Sequence, residues 1–332
     1  MDASRRDSLR LLAGGAAGLG MVSAGWAAAE PPPETRRIRL PRFPGDVACA
    51  SPMWIASELL RAEGFDDVQY VLIGDFESLS AVSAGRTDFD TPDPWSLLLQ
   101  LDVGQPLVCL GGIHGGCFEL FGTNGVRTIR DLKGRRVGHA DAGRKAFVSA
   151  LLGHVGLDPR KSVTFVDTSG LDGVRMLADG KIDAYLGFPP EPQQMRAGKI
   201  GVSIVNTTID RPWSQYFCCM ATCHREFIAR YPVATKRALR ALLKAADICA
   251  AEPERTARTL VERGFLKDYA GSAATLRELP YKRWREYDSA DSLRFYALRL
   301  HEVGAIKSNP QKLLAAGTDW RFLNELKREL KS

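Results

Sequence analysis

Hydrophobic and polar positions along this 332-residue chain follow two periods. Across 233–249, apolar residues recur at 238/239, 241/242, 245/246 and 248/249, while Lys236, Arg240, Lys244 and Asp247 share the other face. That 3.6-residue period predicts an amphipathic surface helix. Residues 253–264, 289–303 and 320–330 also read as helices. Shorter apolar runs have a different look. Ile38-Arg39-Leu40, 68–73, Arg136-Val137-Gly138 and 163–166 read as strands bounded by turn residues.

These signals repeat along the chain. Gly64-Phe65-Asp66 precedes the strand at 68–73, and Gly156-Leu157-Asp158 precedes the strand at 163–166, 92 residues further on. A helical stretch at 79–84 runs into Gly85-Arg86-Thr87-Asp88-Phe89. Its counterpart at 174–179 runs into Gly180-Lys181-Ile182-Asp183-Ala184, 95 residues further on. In each unit a helix ends on a glycine suited to the left-handed C-cap. A basic residue follows at the negative end of the helix dipole. With helices at 51–62 and 144–154, each half reads strand–helix–strand–helix–strand, the recipe for a parallel sheet with helices on its faces. The expected fold is therefore α/β with two parallel-sheet lobes, 36–113 plus 214–332 and 114–213. Two strand-like crossings near 109–121 and 206–220 would form a hinge, and the helical C-terminal tail would pack on the first lobe.

Composition narrows the class. The chain is 45% apolar and 25% charged, values that exclude a disordered polymer. Past the N-terminus no apolar run approaches the ~20 residues of a membrane span. A net charge of +6 is too mild to point to nucleic acid. The basic stretches Lys282-Arg283-Trp284-Arg285 and Lys327-Arg328 read as solvated helix faces. Residues 1–29 read as an address. Paired Arg5-Arg6 precede a short small-residue apolar stretch and Ala27-Ala28-Ala29, followed by Glu30-Pro31-Pro32-Pro33. This is a twin-arginine export signal except that Ser8 stands at a usually bulky apolar position. The mature protein is expected in a bacterial periplasm, as a monomer.

The strand-to-helix loops at the carboxyl ends of parallel strands would face the cleft, and each offers backbone N–H groups that attract anions. The loop at 46–54 carries Ser51 as an expected N-cap, Pro52 and Trp54. The next two carry Asp75 and Ser78, then Pro92 and Trp95. The fourth carries Asp141, Arg144 and Lys145. His114, Cys117 and Trp213 lie at the crossings. Arg144 and Lys145 place positive charge in a first helical turn, against the dipole, and a bound anion would reverse that sign. No nucleophile elbow, P-loop or zincin helix is present, so no catalytic residue, cofactor or metal is expected.

The chain resembles the solute-binding proteins of nitrate/sulfonate/taurine ABC transporters, a group that also contains thiamine-pyrimidine precursor binders and yeast-type pyrimidine synthases. The matching pieces are Ser51-Pro52-Met53-Trp54-Ile55-Ala56, 79–88, the stretch from Ile129-Arg130-Asp131-Leu132-Lys133-Gly134-Arg135-Arg136-Val137 through Asp183-Ala184, and Ala221-Thr222-Cys223-His224-Arg225-Glu226-Phe227. The resemblance implies a two-lobed periplasmic binding fold that closes on a small anionic, zwitterionic or pyrimidine-like solute and delivers it to an inner-membrane ABC permease. Phe188-Pro189-Pro190-Glu191 matches the family in position, which adds Phe188 and Glu191 to the expected ligand contacts. The loop Asp141-Ala142-Gly143-Arg144 lacks the hydroxyl residue the family often carries there. Cys218-Cys219-Met220-Ala221-Thr222-Cys223 is similar in part to the cysteine cluster of the synthases, so an enzyme using Cys218, Cys219 and Cys223 is the alternative. Strand alternation would point Cys218 and Cys219 to opposite faces. Core packing, a disulfide involving Cys117, and a metal or redox site are the open readings of these thiols.

Overall fold

The structure is a computed structural model that describes residues 30–74, 77–123 and 125–330. The export segment, 1–29, and Asp75 lie outside the described residues. The frame consists of β1 (Arg37–Arg42), β2 (Asp67–Leu72), β3 (Phe89–Asp90), β4 (Leu107–Gly115), β5 (Glu119–Gly122), β6 (Arg136–His139), β7 (Thr164–Asp167), β8 (Ala184–Gly187), β9 (Val202–Asn206) and β10 (Phe217–His224).

One sheet has the order β7–β6–β8–β5–β9, with β6 parallel to both β7 and β8. In the other half β1 pairs parallel with β2, and β10 lies antiparallel between β3 and β4. A bond from Asp88 N to Arg39 O (2.8 Å) joins these pieces into the order β2–β1–β3–β10–β4. The lobes therefore share one topology. In each, the fourth strand is antiparallel and has just crossed from the other lobe: β5 follows β4, and β10 follows β9. The crossings run side by side. Phe118 N donates to Thr207 Oγ1 (3.0 Å), and Thr207 N and Oγ1 both donate to the Phe118 carbonyl (3.0 and 2.8 Å).

The sequence repeat has a chemical basis. Arg39 donates to Asp88 from its backbone N (2.7 Å), Nε (3.2 Å) and Nη2 (2.6 Å), and to the Gly85 carbonyl from Nη1 (2.6 Å). Arg136 donates to Asp183 from N (2.8 Å), Nε (3.0 Å) and Nη2 (3.0 Å), and to the Gly180 carbonyl (2.8 Å). Gly85 and Gly180 hold φ of 66° and 68°, the left-handed C-cap read from the sequence. The recurring Asp thus clamps an arginine on the neighbouring strand, a bidentate pairing with little geometric freedom.

The helices bear out the periodic readings at Pro232–Ala251, Pro253–Glu262, Ser289–Glu302 and Arg321–Glu329. Tyr269–Glu278 and Pro310–Gly317 are helices that the pattern did not reveal. The expected helix at 51–62 is split into Ser51–Ile55 and Ser57–Ala62. Ser51 is its first residue rather than its N-cap: a short turn, Ala48–Ala50, leads straight in, and Ser51 Oγ donates to the Ala48 carbonyl (2.6 Å).

The C-terminal tail packs on the first lobe, where Asp319 N donates to the Cys109 carbonyl (2.9 Å), and it also reaches the second. Trp95, from helix Pro94–Asp102, stacks on Phe147, from helix Ala142–His154, with centroids 4.0 Å apart and planes 8° apart. Tyr296 from the tail meets both edge-on. Phe147 is fully buried, so Phe147→Leu is expected to cost about 1–2 kcal/mol in urea unfolding, the transfer energy of the lost ring carbons plus a small void. An unchanged midpoint would remove Phe147 from the bridging core.

Candidate functional site

A cleft of about 650 Å³ opens between the two lobes, a volume suited to a small solute. Its walls come from the strand-to-helix loops of both sheets. Of the residues expected from sequence, Ser78, Pro92, Asp141, Arg144, Phe188 and Glu191 line it. Ser51, Trp54, Trp95, His114, Cys117 and Trp213 do not. Ser51 and Trp54 are fully buried, and Trp54 Nε1 donates to the Pro41 carbonyl (3.0 Å) while its ring stacks on Phe265. Trp95 and Trp213 belong to the aromatic core around Phe147. Large apolar rings repay burial more than exposure, and nothing in their spacing separates a core ring from a ligand platform.

Sequence reasoning passed over several lining groups. Asp90, Asp93, Thr168, Phe118 and Tyr185 all face the cleft. The one legible signal was position: Asp90 ends β3, and Asp93 and Thr168 closely follow the carboxyl ends of β3 and β7.

The two helices that meet across the cleft are capped by their own carboxyl groups. Asp93 Oδ1 accepts from Ser96 N (2.7 Å), and Asp141 Oδ1 accepts from Arg144 N (2.8 Å). The helix N-termini expected to attract a ligand anion are therefore already occupied by carboxyl oxygens. Arg144 Nε lies 3.3 Å from Asp141 Oδ2, and its guanidinium sits 5.5 Å from the Phe188 ring centre and 6.0 Å from that of Phe118. Glu191 accepts from Tyr185 Oη and Phe188 N (both 2.9 Å), which ties down that wall.

Charge in the cleft is lopsided. Asp46, Asp90, Asp93, Asp141 and Glu191 line it, against the single cation Arg144 among the described lining residues. Burial, together with the nearby charge of Asp141, pushes Asp93 up to about 8, against the hydrogen bonds from Ser96. Burial likewise pushes Asp90 up to about 6. Asp90 Oδ1 accepts from Thr91 N (2.7 Å), but Asp90 Oδ2 and Thr168 Oγ1 are buried without a hydrogen-bond partner. These orphaned polar atoms, a carboxyl oxygen and a hydroxyl, face the cleft from opposite lobes.

Behind the cleft lies a thiol cluster. β4 and β10 pair so that His114 opposes Cys219. Register shifts on both sides of Cys219 interrupt strand alternation. Alternation places Cys218 and Cys219 on opposite faces, and it is Cys219, not Cys218, that joins Cys49, His114 and Cys117 and lines the cleft. Hydrogen bonds from Cys117, Cys218 and Cys49, together with His114, pull the Cys219 thiol well below its ordinary value. Cys223 stands apart, beside Val108 and Phe89 in the sheet register, and its thiol donates to the His224 carbonyl (3.5 Å).

Two lobes of one topology, two antiparallel crossings and a cleft at the strand ends define the periplasmic binding protein fold. The nitrate-binding protein NrtA of Synechocystis PCC 6803 superposes with a TM-score of 0.74 at 14% identity, covering 91% of this chain and 90% of that one. The alkanesulfonate-binding protein SsuA of Xanthomonas axonopodis pv. citri, bound to MOPS, gives 0.68 at 17%, covering 88% and 100%. The NMT1/THI5-like family pattern matches residues 59–256, and the chain belongs to that family. A curated sequence relative is the 4-amino-5-hydroxymethyl-2-methylpyrimidine phosphate synthase THI5 of Saccharomyces cerevisiae, 25% identical over 157 residues, which are 44% of this chain and 46% of that one. The chain thus spans about half the length of the curated relatives it matches.

Proposed function

We propose that the protein is the periplasmic solute-binding component of an ABC importer. Lobe one (36–113 plus 214–332) and lobe two (114–213) close on a small solute and present it to an inner-membrane permease. The observation that carries this reading is the cleft between two hinged lobes with unpaired polar atoms, Asp90 Oδ2 and Thr168 Oγ1, on opposite walls. The fold likeness to NrtA and SsuA supports it, and the twin-arginine segment read from the sequence supplies the export route.

Lining charge favours one of the solute classes left open by the sequence. Asp90 Oδ2, on a carboxyl that ionises above about 6, calls for a donor, and the bare Thr168 hydroxyl serves either role, so an amino or amidine-like group on the solute fits best. Phe118, Tyr185 and Phe188 offer faces for a planar or apolar part, and Arg144 suits an acidic substituent. A zwitterion or an amino-substituted pyrimidine-like ring fits; a bare anion such as nitrate meets Asp46, Asp90, Asp141 and Glu191 against one Arg144. Closure is latched at the rim, where Arg196 Nη2 pairs with Glu278 of the tail (2.7 Å) and Gln193 Nε2 donates to the same carboxylate (2.9 Å).

A thermal-shift panel of nitrate, alkanesulfonates, amino acids and aminopyrimidines tests the assignment. Stabilisation by donor-bearing compounds is the expected result, and stabilisation by nitrate alone would overturn it. Arg144→Ala should weaken a carboxylate-bearing solute by about 1–3 kcal/mol in calorimetry, since charged hydrogen bonds are worth that much.

The curated relatives' names favour a second reading, an enzyme of the pyrimidine phosphate synthase kind. The separation of Cys223 from Cys218 and Cys219 weighs against a three-cysteine centre of the sort that reading needs. Turnover of a substrate by purified protein would reverse this preference.

A further inference from the structure

Cys49, His114, Cys117 and Cys219 bring one thiol or imidazole donor each to a single spot, with all donor atoms within 4.8 Å of one another. They come from three separate places: the turn after β1, the end of β4 with the hinge crossing, and β10. All four are buried, between 0% and 5% exposed. Cys49 and Cys219 also line the cleft, which provides a route in from solvent.

We infer that these four residues form a binding site for one thiophilic divalent cation of the zinc type. Three sulfurs and one imidazole nitrogen complete a tetrahedral shell, the ligand set and count of closed zinc sites. Metal–sulfur bonds of about 2.3 Å place neighbouring donors about 3.7 Å apart, so the present spacing needs a contraction of about 1 Å. The imidazole is prepared for the role. His114 Nδ1 lies 2.8 Å from the Gly115 carbonyl, while Nε2 is buried with no hydrogen-bond partner. A ring nitrogen held by a backbone carbonyl, with its other lone pair left bare, is the arrangement that orients metal-bound histidines. Binding converts three thiols to thiolates and passes their protons to the buffer, leaving the site with a net charge of −1.

Only His114 and Cys117 are close in sequence, Cys49 and Cys219 come from distant segments, and only Cys219 belongs to the 218–223 run. The inference goes beyond solute binding and is read independently of it. A protein that binds a solute but no metal would overturn this inference and leave the other standing.

The test uses the full chain, reduced with a phosphine and titrated anaerobically with Co²⁺, whose tetrahedral thiolate complexes absorb in the near-ultraviolet and the visible. The expected result is one equivalent bound, sulfur-to-cobalt charge-transfer and tetrahedral ligand-field bands, and their loss on adding one equivalent of Zn²⁺. Cys49→Ser and Cys219→Ser should each weaken binding at least tenfold, while Cys249→Ser, a buried cysteine outside the group, should leave the titration unchanged. Absence of a stoichiometric band in the reduced wild-type protein overturns the site, whatever the variants do. So does a band that survives intact in Cys49→Ser and Cys219→Ser.

Discussion

Asp93→Asn is expected to make the protein more stable at alkaline pH and to flatten its pH dependence. The folded-state value of Asp93 is raised from 3.8 to about 8, so across that window the native state holds a proton that the unfolded chain has lost. Stability therefore falls as pH rises from 3.8 to about 8 and levels off above it. Asparagine imitates the protonated acid and still accepts the Ser96 N–H, so the helix cap survives. A tenfold change in proton affinity is worth about 1.4 kcal/mol, and partial opening of the cleft would relieve part of the penalty; a gain of about 2–5 kcal/mol near pH 8, shrinking to almost nothing near pH 4, is the expected outcome. Asp90 adds a smaller slope of the same sign, ending at about 6. Urea unfolding of both proteins at intervals across this window checks it. A difference that does not vary with pH would mean that Asp93 is not carrying the proton. Small-angle scattering of the wild type separates two ways of relieving the charge, because lobe opening enlarges the particle without unfolding it.

The second large effect is expected at Gly143. This residue opens helix Ala142–His154, and a Cβ there would collide with Ser96 Oγ while pressing Asp141 Oδ1 (3.0 Å) and Ser96 Cβ (3.2 Å). Ser96 belongs to helix Pro94–Asp102 of the other lobe, so Gly143 is where the walls of the cleft touch. Gly143→Val should hold the lobes apart, enlarge the particle in scattering with solute present, and weaken the best solute of the thermal-shift panel by about 100-fold, or about 2.7 kcal/mol. Gly143→Ala combined with Ser96→Ala removes the nearest clashing atom and should recover most of that loss. Wild-type affinity in Gly143→Val would show that closure does not pass through this contact.

Much of the frame was legible because it rests on local chemistry. The Gly85 and Gly180 units announced two lobes, since a left-handed C-cap followed by an Asp at a strand start is a pattern of adjacent residues. What that Asp does was not legible: its partners, Arg39 and Arg136, lie 49 and 47 residues away. The crossings were readable as strands, and if they paired, Cys117 could approach Cys218 or Cys219; Cys117 and Cys219 do come together, their sulfurs within 4.8 Å. Alternation put Cys218 and Cys219 on opposite faces, and Cys219 rather than Cys218 joins the thiol cluster; the register shifts beside Cys219 were not legible, because a bulge is a property of two strands in register and leaves no mark on one.

The cleft divides along the same line. Arg144 beside a helix start suggested an anion site, whereas Asp93 and Asp141 had taken the helix N–H groups for themselves. Trp54, Trp95 and Trp213 were plausible platforms until packing enclosed them. Periodicity, capping residues and turn glycines act between neighbours in the chain, and from them alone came the helices, the strands, the twofold repeat and the loops that face the cleft. Which carboxylates lose their solvent, which rings are sealed in the core, and which four donors converge behind Cys219 depend on distances between segments as far apart in the chain as Trp54 and Phe265. Those distances, and the desolvation that comes with them, exist only once the two lobes have packed together.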